Sequence, residues 1–309
     1  MHMRRQSRRF PLISAVACAL AGVSIAGCGR RVDLGPVANE QDAGDIRLAI
    51  AASTEGGAAE GAAGPTGTGW ATIRGRFVYD PGAPLPQVRP YIVNKDPAAC
   101  APGGKAPPQE TLVVDSGSRG IKNIAVYLWN ASRVHESAQP SEEAIVFDQQ
   151  VCVFLTHVCG VMVGQTLDIK NSDDVGHNTN IAGRRNTFNQ TIPAGQTIAY
   201  RVQREEALPA PVNCSIHPWM LAYLLPRENG YYAVTATDGS FEIANVPAGE
   251  KLEFQVWHES AAGANGTLGM STPEAKALGW SNKGRFTVTL APDEVKEIQV
   301  MVPASAFRG

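Results

Sequence analysis

Ile73-Arg74-Gly75-Arg76-Phe77-Val78-Tyr79 alternates like a half-buried strand and halts at Asp80-Pro81-Gly82, a turn signal. Outward from it, Ile124-Ala125-Val126-Tyr127-Leu128-Trp129 forms a second clear strand, with a long Pro-rich connection between the two. Further short strands read at residues 152–154, 165–170, 197–202, 231–235, 241–244, 251–257, 286–290 and 295–302. Only residues 272–278 look helical. Eight or more short strands separated by turn formers predict a mainly β chain, folded as one or two β-sandwiches. The 31 Gly, 21 Pro and 18% charged residues agree with that class. With 27 basic against 29 acidic side chains, no polyelectrolyte face is available, which argues against a nucleic-acid binder driven by phosphate contacts.

The first 28 residues have the three-part layout of an export signal: Arg4, Arg5, Arg8 and Arg9, an apolar run over residues 11–25, then Ala26-Gly27-Cys28. The apolar run is too short to span a bilayer comfortably. Ser24-Ile25-Ala26-Gly27-Cys28 resembles the bacterial lipobox, which implies that Cys28 is lipidated, becomes the first mature residue and anchors the protein at the periplasmic face of a membrane. A soluble secreted protein cleaved nearby is the alternative. Residues 28–69 are rich in Gly and Ala and read as a tether. Losing residues 1–27 removes four arginines and no acids, so the formal charge moves from −2 to −6.

Asn213-Cys214-Ser215-Ile216-His217-Pro218-Trp219-Met220 carries the chemistry. It sets a thiolate, an imidazole and a thioether on one loop, and about forty residues earlier Asp173-Asp174-Val175-Gly176-His177-Asn178 offers a second imidazole at a strand end. One thiolate and two imidazoles with a weak axial Met form the ligand set of a blue-copper electron-transfer centre. Zinc would require a fourth strong ligand or an open water, and Met is a poor zinc ligand. A dinuclear copper-thiolate centre needs a second Cys in the loop, which Ser215, Ile216 and Pro218 exclude.

One distant His followed by Cys-x2-His-x2-Met resembles the cupredoxins, and Cys214-Ser215-Ile216-His217-Pro218-Trp219-Met220 is similar to the short ligand loop of amicyanin. His177-Asn178 likewise resembles the His-Asn pair opening the plastocyanin and amicyanin copper sites. The resemblance covers roughly residues 151–225. It implies a Greek-key β-sandwich and one type 1 copper per chain, held strongly by His177, Cys214 and His217 and weakly by Met220. His217, flanked by Pro218, Trp219 and Leu221, would present an imidazole edge in an apolar patch. The chain departs from the family at Val212-Asn213, where many members have an aromatic-rich strand, and it continues beyond the loop.

Thr237-Asp238-Gly239-Ser240-Phe241-Glu242-Ile243-Ala244-Asn245-Val246-Pro247-Ala248-Gly249 sets a strand between an Asp-Gly hairpin turn and a Pro-Ala-Gly turn. It resembles a carboxypeptidase regulatory-like, transthyretin-like β-sandwich, as do the strands at Ile73 and Ile124. The expected organisation is a signal over 1–27, a tether over 28–69, first sandwich strands over 70–149, the copper segment over 150–226, and regulatory-like strands over 227–309. The copper segment either nests between the two halves of that sandwich or packs against it.

Cys100, Cys152 and Cys159 remain once Cys18, Cys28 and Cys214 are assigned, and export permits one bridge among them. A Cys100–Cys152 bridge would staple the Pro-rich connection to the sandwich, while the spacing of Cys152 and Cys159 permits another. His157 and Cys159 read as structural.

The expected function is a single-electron carrier and not an enzyme, because a catalytic second copper needs several more histidines than His2, His135, His157 and His258 supply. Its expected partner is an exported c-type cytochrome or dehydrogenase. The alternatives are a copper-delivery lipoprotein using the same ligands and a structural β-sandwich with incidental Cys and His.

Overall fold

The computed structural model describes residues 67–308, so Cys28, the export signal and most of the tether lie outside the described residues. The described chain is mainly β and forms two sandwiches. The strands of the first are β1 (Trp70–Tyr79), β2 (Ala125–Leu128), β12 (Tyr232–Val234), β13 (Ser240–Pro247), β14 (Lys251–Trp257), β15 (Arg285–Thr289) and β16 (Val295–Val302). A sheet ordered β13-β1-β16 faces a sheet ordered β12-β2-β14-β15. Alternation sets the facing: Ile73, Phe77 and Tyr79 of β1 are buried and Arg74 is exposed. The inward residues meet Val126, Phe254 and Phe286 from the other sheet in one core.

The second sandwich also has two sheets. One comprises β5 (Val158–Met162), β7 (His177–Ala182), β8 (Thr187–Ile192), β10 (Ala210–Asn213) and β11 (Leu221–Arg227), ordered β5-β11-β10-β7-β8. The other comprises β3 (Ile145–Gln150), β4 (Val153–Phe154), β6 (Thr166–Asn171) and β9 (Thr197–Arg201), ordered β4-β3-β6-β9. Phe147, Leu167 and Ile169 from one sheet interdigitate with Ile181, Val212 and Leu224 from the other.

The first sandwich draws β1 and β2 from before this region and β12 to β16 from after it, so the second is nested between its halves. β3 pairs with β4 and β6, so the second sandwich starts at Ile145 rather than at residue 150. A small shared core of Ala125, Tyr127, Val158, Leu225 and Trp257 joins the two sandwiches. Arg227 crosses the same seam, donating from Nη2 to the Leu128 carbonyl at 2.9 Å and from Nη1 to the Glu206 carbonyl at 3.1 Å. The one expected helix spans Pro273–Ala277, capped by the Thr272 hydroxyl, which accepts from Ala275 N.

Candidate metal centre

Two turns at one end of the second sandwich build the site. β6 ends in the buried Asn171, whose Nδ2 donates to the carbonyls of Val175 at 2.8 Å and Ile192 at 3.0 Å while its Oδ1 accepts from Asp173 N at 3.0 Å. These bonds fix the turn that delivers Asp173 and then His177 at the mouth of β7. β10 and β11 are antiparallel with Asn213 opposite Leu221 as the last pair, so residues 214–220 form the connecting loop. Met220 N donates to the His217 carbonyl at 3.0 Å and Cys214 N to the Met220 carbonyl at 3.3 Å, which folds the loop on itself.

β10 also pairs with β7, Asn213 opposite Asn180, so the loop lies beside the β7 entrance. Asn178 ties the two together. Its backbone N–H points at Cys214 Sγ at 3.3 Å, its Oδ1 accepts from Ser215 N at 3.2 Å, and its Nδ2 donates to Gln190 O at 3.0 Å.

Within this frame His177, Cys214 and His217 converge, their nearest donor atoms all within 4.8 Å of one another and all three side chains buried. The two imidazoles face each other through Nδ1, 2.9 Å apart, and Cys214 Sγ lies 4.0 Å from His217 Nδ1. Metal bonds of about 2.0–2.1 Å to imidazole and about 2.3 Å to thiolate allow donor separations up to about 4.4 Å, a limit that the His177–His217 and Cys214–His217 pairs meet. Met220 is buried at the loop's end and packs in the same core as Cys214.

Each imidazole is backed by a carboxylate on its far nitrogen. Asp173 Oδ2 is 2.7 Å from His177 Nε2, and Asp96 Oδ2 is 2.8 Å from His217 Nε2. A carboxylate accepts only, so Nε2 carries the proton in both rings and Nδ1 is left as the donor atom. Two Nδ1 lone pairs 2.9 Å apart repel unless a cation sits between them, which is the place of a proton or of a ligated metal ion.

The electrostatics agree with that demand. Burial alone would push the Cys214 thiol up, but hydrogen bonds from His177 and from the N–H groups of Asn178, His217 and Ile216 outweigh it and hold it below the ordinary thiol range. Burial would lower His177, yet its bonds to Asp173 and Cys214 raise it. His217 goes down, through burial first and through the neighbouring His177 charge, against the pull of Asp96. This donor set fits a soft or borderline ion such as copper: one thiolate and two neutral imidazole nitrogens, with no carboxylate placed to ligate.

The resemblance leads one to expect that His217 presents an imidazole edge in an apolar patch. In the structure it is 0% exposed, with Asp96 on its outer nitrogen and the Trp219 ring tilted against it at a ring separation of 5.2 Å. The covering residue, Asp96, comes from the Pro-rich connection. Asp96 gives no sequence signal, whereas Asp173 stands four residues before His177 and is legible as its neighbour.

Cys100 and Cys152 are bridged, with Cα atoms 4.9 Å apart, and Cys159 is a free buried thiol that burial pushes up to about 12. His157 lies away from the centre, its Nε2 paired with Glu259 and its Nδ1 3.8 Å from Glu110.

No protein-family model and no curated protein matches the chain. Among solved structures it is similar to a point variant of amicyanin in its reduced Cu(I) form, at 20% identity over 28% of this chain and 85% of that one, TM-score 0.25. It is also similar to amicyanin from Paracoccus versutus, at 17% identity over 33% of this chain and 97% of that one, TM-score 0.25. A copper-containing nitrite reductase from Thermus scotoductus overlaps 28% of this chain and 23% of its own length, at 17% identity and TM-score 0.26.

Proposed function

We propose that this chain is a single-electron carrier with one mononuclear type 1 copper centre, exported and held at the periplasmic face of a membrane by a lipid on Cys28. The observation that carries the reading is the buried meeting of His177 Nδ1, His217 Nδ1 and Cys214 Sγ, with a carboxylate fixing the far nitrogen of each imidazole. Copper bound there by a thiolate and two imidazoles supplies Cu(I)/Cu(II) chemistry, with Met220 as the weak fourth donor that tunes its potential.

The chain's own work is to keep those donors still. N–H groups of Asn178 and His217 hold the Cys214 sulfur at 3.3 and 3.4 Å, so the sulfur does not depend on a metal for its position. Asp173 and Asp96 set the histidine tautomers before any ion arrives. Burial of all three side chains keeps water from the centre, so little rearrangement accompanies a change of charge. Such a site suits exchange with an exported redox protein, a c-type cytochrome or a dehydrogenase, and it acts as a carrier rather than a catalyst.

The test is redox cycling of the copper-loaded protein in the presence of a copper chelator. Repeated one-electron oxidation and reduction without metal loss is expected. Transfer of copper to the chelator within a few cycles would overturn the carrier in favour of delivery. Cys28→Ser, expressed with its signal, is expected to move the protein from the membrane fraction to the soluble periplasm, and unchanged membrane retention would refute the anchor.

A further inference from the structure

The Pro-rich connection packs Val93, Ala99 and Cys100 against the core that holds Cys214 and Met220, and it places one carboxylate, Asp96, on the metal centre. Asp96 and Cys100 ride on a single helical turn, α1 (Pro97–Cys100), in which the Asp96 carbonyl accepts from Ala99 N at 3.0 Å and from Cys100 N at 2.9 Å. The position of Cys100 therefore fixes that of Asp96. Cys100 is bridged to Cys152, 52 residues away on the turn between β3 and β4, and Trp219 of the ligand loop donates to the Cys152 carbonyl at 3.1 Å. The two sulfurs and a ring nitrogen of His217 lie within 4.8 Å of one another. Among the described residues no strand lies between Tyr79 and Ala125, so no sheet holds this segment in place.

The two outer carboxylates differ in how they are held. Asp173 belongs to the sandwich, anchored through its N–H to Asn171, and it accepts from Val151 N at 2.6 Å and Cys152 N at 2.8 Å. Asp96 comes from the segment that carries α1 and its side chain is 38% exposed, whereas His217 beneath it is 0% exposed.

We propose that the Asp96–Cys100 segment is a lid that positions and covers His217, latched by the Cys100–Cys152 disulfide and opened when an exported dithiol reduces that bond. In that step the dithiol's two S–H groups give up two electrons and two protons. The S–S bond breaks, Cys100 and Cys152 become thiols, and the donor leaves as a disulfide. Latched, the lid keeps Asp96 on Nε2 and Nδ1 as the donor; released, it uncovers the imidazole edge and the tautomer is no longer fixed. The function of the lid rests on His217 being a metal ligand, whereas its movement is measurable without any metal.

The experiment is carbethoxylation of the metal-free full chain by diethyl pyrocarbonate, read residue by residue by mass spectrometry. Disulfide-intact protein is compared with protein treated with dithiothreitol that is removed before labelling, and with the Cys100→Ser/Cys152→Ser variant. His217 is expected to react at least tenfold faster in both opened forms, with His177 still protected and the half-buried His135 unchanged as the reference. Asp96→Asn with the bridge intact is expected to stay slow, because its amide oxygen still accepts from Nε2. Equal His217 rates in bridged and opened protein would overturn the lid. So would a joint rise of His217 and His177, which would make the bridge a staple for the whole site. Loss of copper binding alone would leave these rates untouched and would count against the carrier reading instead.

Discussion

Asp173→Asn keeps the size of the side chain while removing its charge and one acceptor atom, and the structure fixes what that does. Oδ1 accepts from Val151 N at 2.6 Å, and Oδ2 accepts from both Cys152 N at 2.8 Å and His177 Nε2 at 2.7 Å. If the amide oxygen takes the Oδ2 place, two of the three bonds survive and the NH2 group faces the Val151 N–H, donor against donor. The opposite orientation saves one bond and sets the NH2 against two donors, so the first wins. The loss is then one hydrogen bond to a charged acceptor, about 1.5–3 kcal/mol of folding stability. His177 keeps a partner on Nε2, and copper affinity is expected to fall about tenfold, the low end of what outer partners of a metal ligand contribute. Asp173→Ala removes all three bonds and leaves Nε2–H unpartnered, and its affinity is expected to fall about 100-fold. Competition with a Cu(I) chelator measures affinity, and urea unfolding of the metal-free protein measures stability. Affinities within twofold of wild type, or identical for the Asn and Ala variants, would refute the role given to this carboxylate.

Met220→Leu is expected to keep the colour of the copper protein and raise its reduction potential, because a weak donor to Cu(II) is lost; voltammetry showing no change would remove Met220 from the ligand set. His258 is fully buried with Nε2 unpartnered, and burial first, then the nearby His157, lowers it to about 3. A depressed histidine leaves stability intact above its unfolded value of about 6.5 and erodes it below, so urea unfolding is expected to show about 2 kcal/mol lost to this group between pH 6.5 and 5. His258→Gln should flatten that slope; an unchanged slope would contradict the assignment. At the seam between the sandwiches, a Cβ on Gly160 would come 2.1 Å from the Tyr232 ring, so Gly160→Ala is expected to cost about 1–3 kcal/mol by denaturation; a neutral result would mean that the seam yields.

The first sandwich is legible in the sequence because its strands alternate: residues 251–257 and 295–302 read as strands with the same bounds as β14 and β16. Much of the second is not. β7, His177–Ala182, reads His-Asn-Thr-Asn-Ile-Ala and buries polar side chains around the site, and β8, Thr187–Ile192, is exposed over most of its length. Hydrophobic period therefore carries no signal there. The candidate donors are legible because ligand chemistry is local, Cys214 to Met220 sitting on one loop. The cover over His217 is not, since Asp96 arrives from 121 residues away and only the fold brings it there.

The colour of the loaded site tests the copper centre most directly. Reconstituted with Cu(II), the protein is expected to show an intense thiolate-to-copper absorption in the visible that vanishes on reduction and is missing in Cys214→Ala. A correctly folded, stoichiometrically copper-loaded wild-type protein without that band would contradict it.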